Sequence, residues 1–259
     1  MDFGFDIIAI LTLVAFVAGF LDAMAGGGGL LTIPALMAFG VPPVSAIATN
    51  KLQGTFGTGS AFLTFARKGH IDFPRFRWPA IGALIGAAGG AYVLQRVDSG
   101  FLAGFIPALL IAMAIYFLVA PKMSDVDRHS RIGAVGLFLV VATIGFYDGF
   151  FGPGTGSFFT TALVALGGLG LVRAIAHTKY LNFCTNIMSL AVMISGGKVL
   201  WAVGLPMAVA SVMGNQAGAH VAMRFGGKGV RPLLVLMSLA LTVKLLSNPA
   251  NPLRIMLHI

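Results

Sequence analysis

The chain has no glutamate: its eight acidic residues among 259 are all aspartate, set against seventeen Lys and Arg. Charged residues make up only 10% of it and hydrophobic residues 58%, which leaves too few polar groups to cover a soluble surface. There is one cysteine, Cys184, in an apolar stretch. It excludes an intrachain disulfide and reads as a packing residue. The histidines (His70, His129, His177, His220 and His258) show no metal-ligand spacing, no loop carries a nucleotide-binding pattern, and no nucleophile stands beside a base. An ATP-driven machine and an enzyme are therefore not expected, and neither is a cofactor or a metal. No Lys or Arg precedes the first apolar run. Ala23-Met24-Ala25 looks like a signal-peptidase site, but the basic region such a signal needs is missing, so this segment is expected to stay as a helix.

Long apolar runs are abundant. Stretches such as Ile7 to Leu21 and Ile132 to Phe146 approach the roughly 20 residues that a helical span requires. They are continuous rather than alternating, which argues against a transmembrane barrel. The thirty-five glycines would weaken soluble helices, but small residues let membrane helices approach closely. The net charge of +9 sits in short loops without interleaved aromatics. That pattern fits cytoplasmic loops of a membrane protein and argues against a nucleic-acid partner. The expected class is an all-α polytopic membrane protein.

The chain also repeats itself. Asp22, Gly26 and Gly28 recur as Asp148, Gly152 and Gly154 at an offset of 126. Ala46-Ile47-Ala48 and Lys51 recur as Ala174-Ile175-Ala176 and Lys179 at an offset of 128, which Gly69/Gly197, Gly86/Gly214, Gly90/Gly218 and Arg96/Arg224 maintain. Residues 1–121 and 132–259 read as two membrane repeats joined by the polar linker 122–131, KMSDVDRHSR, which is the boundary between them. The first half divides into segments Phe5–Met24, Leu30–Phe39, Val44–Arg67, Trp78–Gln95 and Phe101–Ala120. The second divides into Ile132–Phe151, Ser157–Leu166, Val172–Ser195, Leu205–Phe225 and Val230–Leu246. The second segment of each half is too short to span untilted and reads as a broken or re-entrant helix. Five crossings per half would invert the second repeat, and four would leave it parallel. With five, eleven loop Lys and Arg fall inside and three outside, which favours inversion with both termini outside.

Lys51 and Lys179 are the sharpest chemical signal. A lysine in hydrocarbon costs about 2.5–3.5 kcal/mol on insertion scales and is a functional candidate by default, the competing reading being a lysine that snorkels to the headgroups. Thr49, Asn50 and Gln53 surround one; His177, Thr178 and Asn182 surround the other. These are donors suited to binding oxygens. Asp22 and Asp148 are candidates for carrying a coupling proton or pairing with the lysines, or else for capping the glycine-rich breaks that follow them. Gly28 and Gly154 open the short helices, whose N-terminal ends suit an anion. Asn215 and Gln216 are expected to add asymmetric contacts or to bond between helices.

The stretch from Gly19 to Gly29 (GFLDAMAGGGG), the stretch TNKLQGTFGTG from Thr49 to Gly59, and their degenerate second copy resemble the sulfite exporter TauE/SafE family of membrane permeases. The resemblance covers nearly the whole chain. It implies a duplicated helical transporter moving sulfite, sulfoacetate or other organosulfonates. The second copy has Thr178 for Asn50 and Leu181 for Gln53, a departure that bears on how the halves share the substrate. The function expected is secondary transport of a small sulfur-containing anion by alternating access, with an anion channel or a carrier of another carboxylate or oxyanion as the alternative. In that reading Asn50, Lys51, Gln53, Thr178, Lys179, Asn182, Gly28 and Gly154 bind substrate, and Asp22 and Asp148 are the proton-coupling candidates. Expected partners are the anion, membrane lipid and a second copy of the chain in a homodimer. The expected location is the bacterial cytoplasmic (inner) membrane, crossed several times.

Overall fold

In the computed structural model, residues 3–119, 125–225, 243 and 247 are described. Among them are nine α-helices and no strand: α1 (Phe5–Ala25), α2 (Gly29–Ala38), α3 (Pro43–Arg67), α4 (Phe73–Leu94), α5 (Ser99–Val119), α6 (Ala134–Phe150), α7 (Thr155–Ala165), α8 (Leu171–Ser195) and α9 (Trp201–Phe225). Phe5–Met24 and Ser99–Phe117 are long and apolar enough to cross a membrane. The segment expected over Val230–Leu246 falls almost wholly outside the described residues, as does the boundary at 121 and 122. Two starts differ by more than two residues from the sequence reading. Helix α4 begins at Phe73 rather than Trp78, because Asp72 accepts the Arg75 N–H and Pro74 stands in the first turn. Helix α9 begins at Trp201 rather than Leu205. Thr49 Oγ1 accepts the Leu200 N–H ahead of it, and Pro206 is accommodated inside the helix.

Breaks follow the glycines. Gly26 ends α1 at φ 75, and Gly152 and Gly154 lie between α6 and α7 at φ 96 and 82. These are left-handed values that cost a side-chain-bearing residue energy. Gly26 also meets the backbone of Gly156, so the two breaks touch and a methyl group on either would clash.

Packing between the halves obeys the sequence offset. Gly86 and Gly90 of α4 seat against the Ala142 and Phe146 carbonyls of α6, and Gly214 and Gly218 of α9 seat against those of Phe16 and Phe20 in α1. Subtracting the offsets maps one set of contacts onto the other. These are small-residue faces that let two backbones come close. Because the partner residue number rises with the glycine number in both interfaces, α4 runs parallel to α6 and α1 parallel to α9. Thr49 with Leu200, Leu52 with Gly204 and Gly57 with Ser211 show that α3 also runs along α9 in the same sense. Hence α1 and α3 point the same way, and short α2 carries the chain back between them. His177 near Asp72 and Gln95 bonded to the Val192 carbonyl set α4 parallel to α8. Between α3 and α8 the order reverses: Gly54 meets Asn186, Gly59 meets Phe183, and Phe62 stacks on Tyr180 at 5.3 Å. These two long helices are antiparallel, and the polar centre of the molecule lies where they cross.

Large apolar side chains such as Leu13, Ile85 and Val209 are about two-thirds exposed on the outer helix faces. Polar groups are gathered inside instead, where Thr49, Asn50, Lys51, Gln53, Asp148, Lys179, Asn182, Asn186 and Asn215 are all buried. That distribution inverts the soluble pattern and suits a lipid surround.

Candidate functional site

Each lysine is paired with the aspartate of the other half. Lys51 Nζ on α3 donates to Asp148 Oδ1 at the end of α6 at 2.9 Å, and Lys179 Nζ on α8 donates to Asp22 Oδ2 near the end of α1 at 2.9 Å. Both lysine side chains are 1% exposed. Neither lysine snorkels, and each charge is met inside the protein, as buried charges must be. Lys179 donates as well to the Asp22 carbonyl. Asp22 Oδ1 accepts the Gly28 N–H at 3.2 Å, which ties the break between α1 and α2.

A cavity of about 40 Å³, room for roughly three waters, lies between the halves. Lys51, Asp22 and Asp148 line it, with Asn50, Gln53, Thr58, Asn182, Asn186 and Asn215. Gly28 and Gly29 at the start of α2, Gly154, Thr155 and Gly156 at the start of α7, and Ser211 of α9 are also in the wall. Two helix N-termini thus meet at one small space. Each is a positive dipole end, suited to negative charge.

Most residues singled out in the sequence come together here; Lys179, Thr178, His177, Thr49 and Gln216 do not. Lys179 lies behind Asp22 and outside the cavity lining. Thr178 shares a bond of 3.0 Å with Thr160, while its counterpart Asn50 accepts from Thr32 at 2.5 Å. Asn50 reaches the cavity and Thr178 does not. His177 accepts the Asp72 N–H at Nε2 and approaches the Arg173 carbonyl through Nδ1 at 2.8 Å, so it fastens α4 to α8. Of the Asn215 and Gln216 pair, Asn215 lines the cavity and Gln216 is exposed.

Sequence reasoning passed over Thr58, Thr155, Asn186 and Ser211. A signal for Asn186 was present, since it stands one turn after Asn182 on the same face of α8. Several lining groups have an unpartnered buried oxygen: Gln53 Oε1, Asp148 Oδ2, Asn182 Oδ1 and Asn215 Oδ1. Among the described residues, no group of three or more His, Cys or Asp is arranged to hold a metal. The arrangement can hold a small charged group between two ion pairs, and it contains no activated nucleophile.

The chain is 48% identical over 257 residues to a Sinorhizobium sp. protein named "Probable membrane transporter protein ORF9", covering 99% of this chain and 98% of the relative. It is 44% identical to a Haemophilus influenzae "Probable membrane transporter protein" over 246 residues, 95% of this chain and 96% of that one. Against the Escherichia coli K12 "Probable membrane transporter protein YfcA" it is 42% identical over 241 residues, 93% of this chain and 90% of that one. No solved structure matches the chain. The family model for the sulfite exporter TauE/SafE matches residues 11–245. With matches of this length and an all-helical, apolar-faced architecture, the chain belongs to the sulfite exporter TauE/SafE family of membrane proteins.

Proposed function

We propose that the protein is a secondary transporter of small sulfur-containing anions, sulfite or an organosulfonate such as sulfoacetate, working by alternating access in the bacterial cytoplasmic membrane. The observation that carries this reading is the buried cavity between the halves, where Lys51, amide side chains and the starts of α2 and α7 converge. A sulfonate offers several oxygens to such donors at once, and its charge suits a lysine and two helix N-termini. The relatives' names as membrane transporters and the family's description as sulfite exporters support transport and the sulfur chemistry.

In this reading residues 1–121 and 132–259 are inverted repeats joined by linker 122–131, each with a short, non-spanning or tilted second helix. Parallel α1 and α3, antiparallel α3 and α8, and the matching glycine interfaces support inversion. Rocking of one repeat against the other would open the shared site to each side in turn. The anion is held by Lys51, with Asn50, Gln53 and Asn182 orienting it and Gly28 and Gly154 bringing backbone close. Hydrogen bonds to charged groups contribute roughly 1.5–3 kcal/mol, so Lys51→Met should weaken binding about ten- to a hundred-fold. Calorimetry of the purified protein with a panel of sulfite, sulfoacetate, methanesulfonate, sulfate and acetate tests this. Binding confined to carboxylates, or wild-type affinity in a folded Lys51→Met protein, would refute the reading.

A further inference from the structure

The two ion pairs are equivalent in the repeat and unequal in their surroundings. Both carboxylate oxygens of Asp22 are engaged, Oδ1 by the Gly28 N–H and Oδ2 by Lys179. Its ammonium partner sits outside the cavity lining and is held a second time by the Asp22 carbonyl. Asp148 is only half engaged. Oδ1 takes the Lys51 ammonium, while Oδ2 is buried without any hydrogen-bond partner, and both residues line the cavity. Leaving a buried acceptor unmet is unfavourable, more so for a charged group. A proton is the smallest species that satisfies it.

Charge counting points the same way. Two ammonium groups and two carboxylates cancel at the site. An anion entering alone would leave one negative charge uncompensated in a buried space, whereas an anion entering with one proton restores neutrality. From these observations, and resting on the transport reading above, we infer that Asp148 and not Asp22 is the proton-binding residue, and that its protonation releases Lys51 to hold the anion. The repeat is thereby divided in labour: Lys51–Asp148 is the working pair, and Lys179–Asp22 is a fixed staple. The step balances. One proton adds to Asp148 Oδ2, the carboxylate becomes neutral, the Lys51 ammonium turns to the anion, and no other bond forms or breaks. One proton moves with each singly charged anion.

Other ionisable groups near α6 are committed elsewhere. On α8, Lys179 is held by Asp22, His177 by Asp72, and Tyr180 stacks on Phe62 beside the buried Cys184. Helix α7 carries no titratable side chain. On α4, Arg75 donates to the Gly167 carbonyl, Arg77 lies over Trp78, and Tyr92 is covered by Arg96. Tyr147, next to Asp148, donates its hydroxyl to the Pro153 carbonyl. Lys51 on α3 and Asp22 across the cavity are the charges that bear on Asp148.

Infrared difference spectroscopy of the purified protein on acidification reads the proton directly, whatever the substrate. A buried-carboxyl band should appear in wild type and in Asp22→Asn and be missing from Asp148→Asn. Retention of the band in Asp148→Asn, or its loss in Asp22→Asn, would overturn the assignment. Should Asp148→Asn fail to fold, Asp148→Glu decides: the band should persist at a shifted frequency, and a band unchanged in position refutes the idea. A second readout uses methanesulfonate, the anion of a strong acid, which does not itself titrate. Wild-type affinity should tighten by up to about tenfold per pH unit lowered and lie flat in Asp148→Asn. Sodium dependence in place of pH dependence overturns the coupling. If wild type binds no sulfonate, the transport reading fails for that class while the infrared result still decides Asp148.

Discussion

Lys179→Met is expected to damage the fold rather than the affinity. The substitution keeps the length of the stem and its packing against α1, but it leaves the Asp22 carboxylate buried with one N–H donor, that of Gly28. Removing one partner of a buried ion pair costs about 3–5 kcal/mol. Asp22 keeps the Gly28 bond and its side chain is 16% exposed, so the low end applies, about 3 kcal/mol. For a chain of this size each kcal/mol lowers the melting temperature by about 2–4 °C, which gives a fall of about 6–12 °C. The double variant Asp22→Asn, Lys179→Met removes the stranded charge and keeps an amide able to cap Gly28. It should recover at least about half of the loss, a coupling of about 1.5 kcal/mol or more. Intrinsic tryptophan fluorescence during heating in detergent measures all four proteins of the cycle, since Trp78 and Trp201 are about half exposed and neither belongs to the buried pair. Additive effects, or a Lys179→Met protein as stable as wild type, would refute the staple and leave Lys179 free for another role.

Other consequences follow from the packing. Gly86→Val and Gly214→Val place side chains against the equivalent carbonyls of Ala142 and Phe16, so each should lose about 1–3 kcal/mol or more, and a large difference between them in thermal unfolding would break the equivalence of the two interfaces. In a Cys184→Ser background, cysteines at Gly69 and Gly197 should be labelled from opposite faces of the membrane, with Ser99 on the Gly197 side; labelling of Gly69 and Gly197 from one face would sink the inverted arrangement. In the linker, the Gly170 N–H and then Arg173 hold the Asp127 carboxyl below the usual carboxylate range. The contribution of this group is therefore present above the ordinary aspartate value and lost as pH falls through its lowered one. The pair is half exposed, so Asp127→Asn, which can still accept from Gly170, should shift melting at neutral pH by less than about 3 °C, and a larger fall would mean that the linker clasp matters more than a surface pair does.

The architecture was readable because it is written twice. Asp22 and Asp148, Lys51 and Lys179, and the glycines of α4 and α9 keep their spacing, and the short helices α2 and α7 fall where the glycine breaks place them. What the offset does not reveal is that the pairs are exchanged. Asp22 and Lys51 are neighbours within one half, yet Asp22 meets Lys179, because α1 packs on α9 and α8 reaches across to the α1 break. His177 was misjudged for a simpler reason. Two residues before Lys179 on a helix it faces roughly the opposite side, and there it meets Phe76 and Asp72. Thr178 stands at the position of Asn50, but a hydroxyl is shorter than an amide and is used up by Thr160. The inequality of Asp22 and Asp148 has no sequence trace at all. It depends on the Gly28 N–H reaching one carboxylate while the second oxygen of the other meets no donor.

Purified protein in sealed liposomes, given an inward proton gradient and radiolabelled sulfoacetate or sulfite, tests the central claim most directly. The account predicts accumulation above the external concentration that collapses when a protonophore is added, that is abolished in Lys51→Met, and that gives way to equilibrating exchange in Asp148→Asn. Flux of these anions that only equilibrates in the wild type, indifferent to the proton gradient, would contradict it and make the cavity a channel rather than the centre of a coupled carrier.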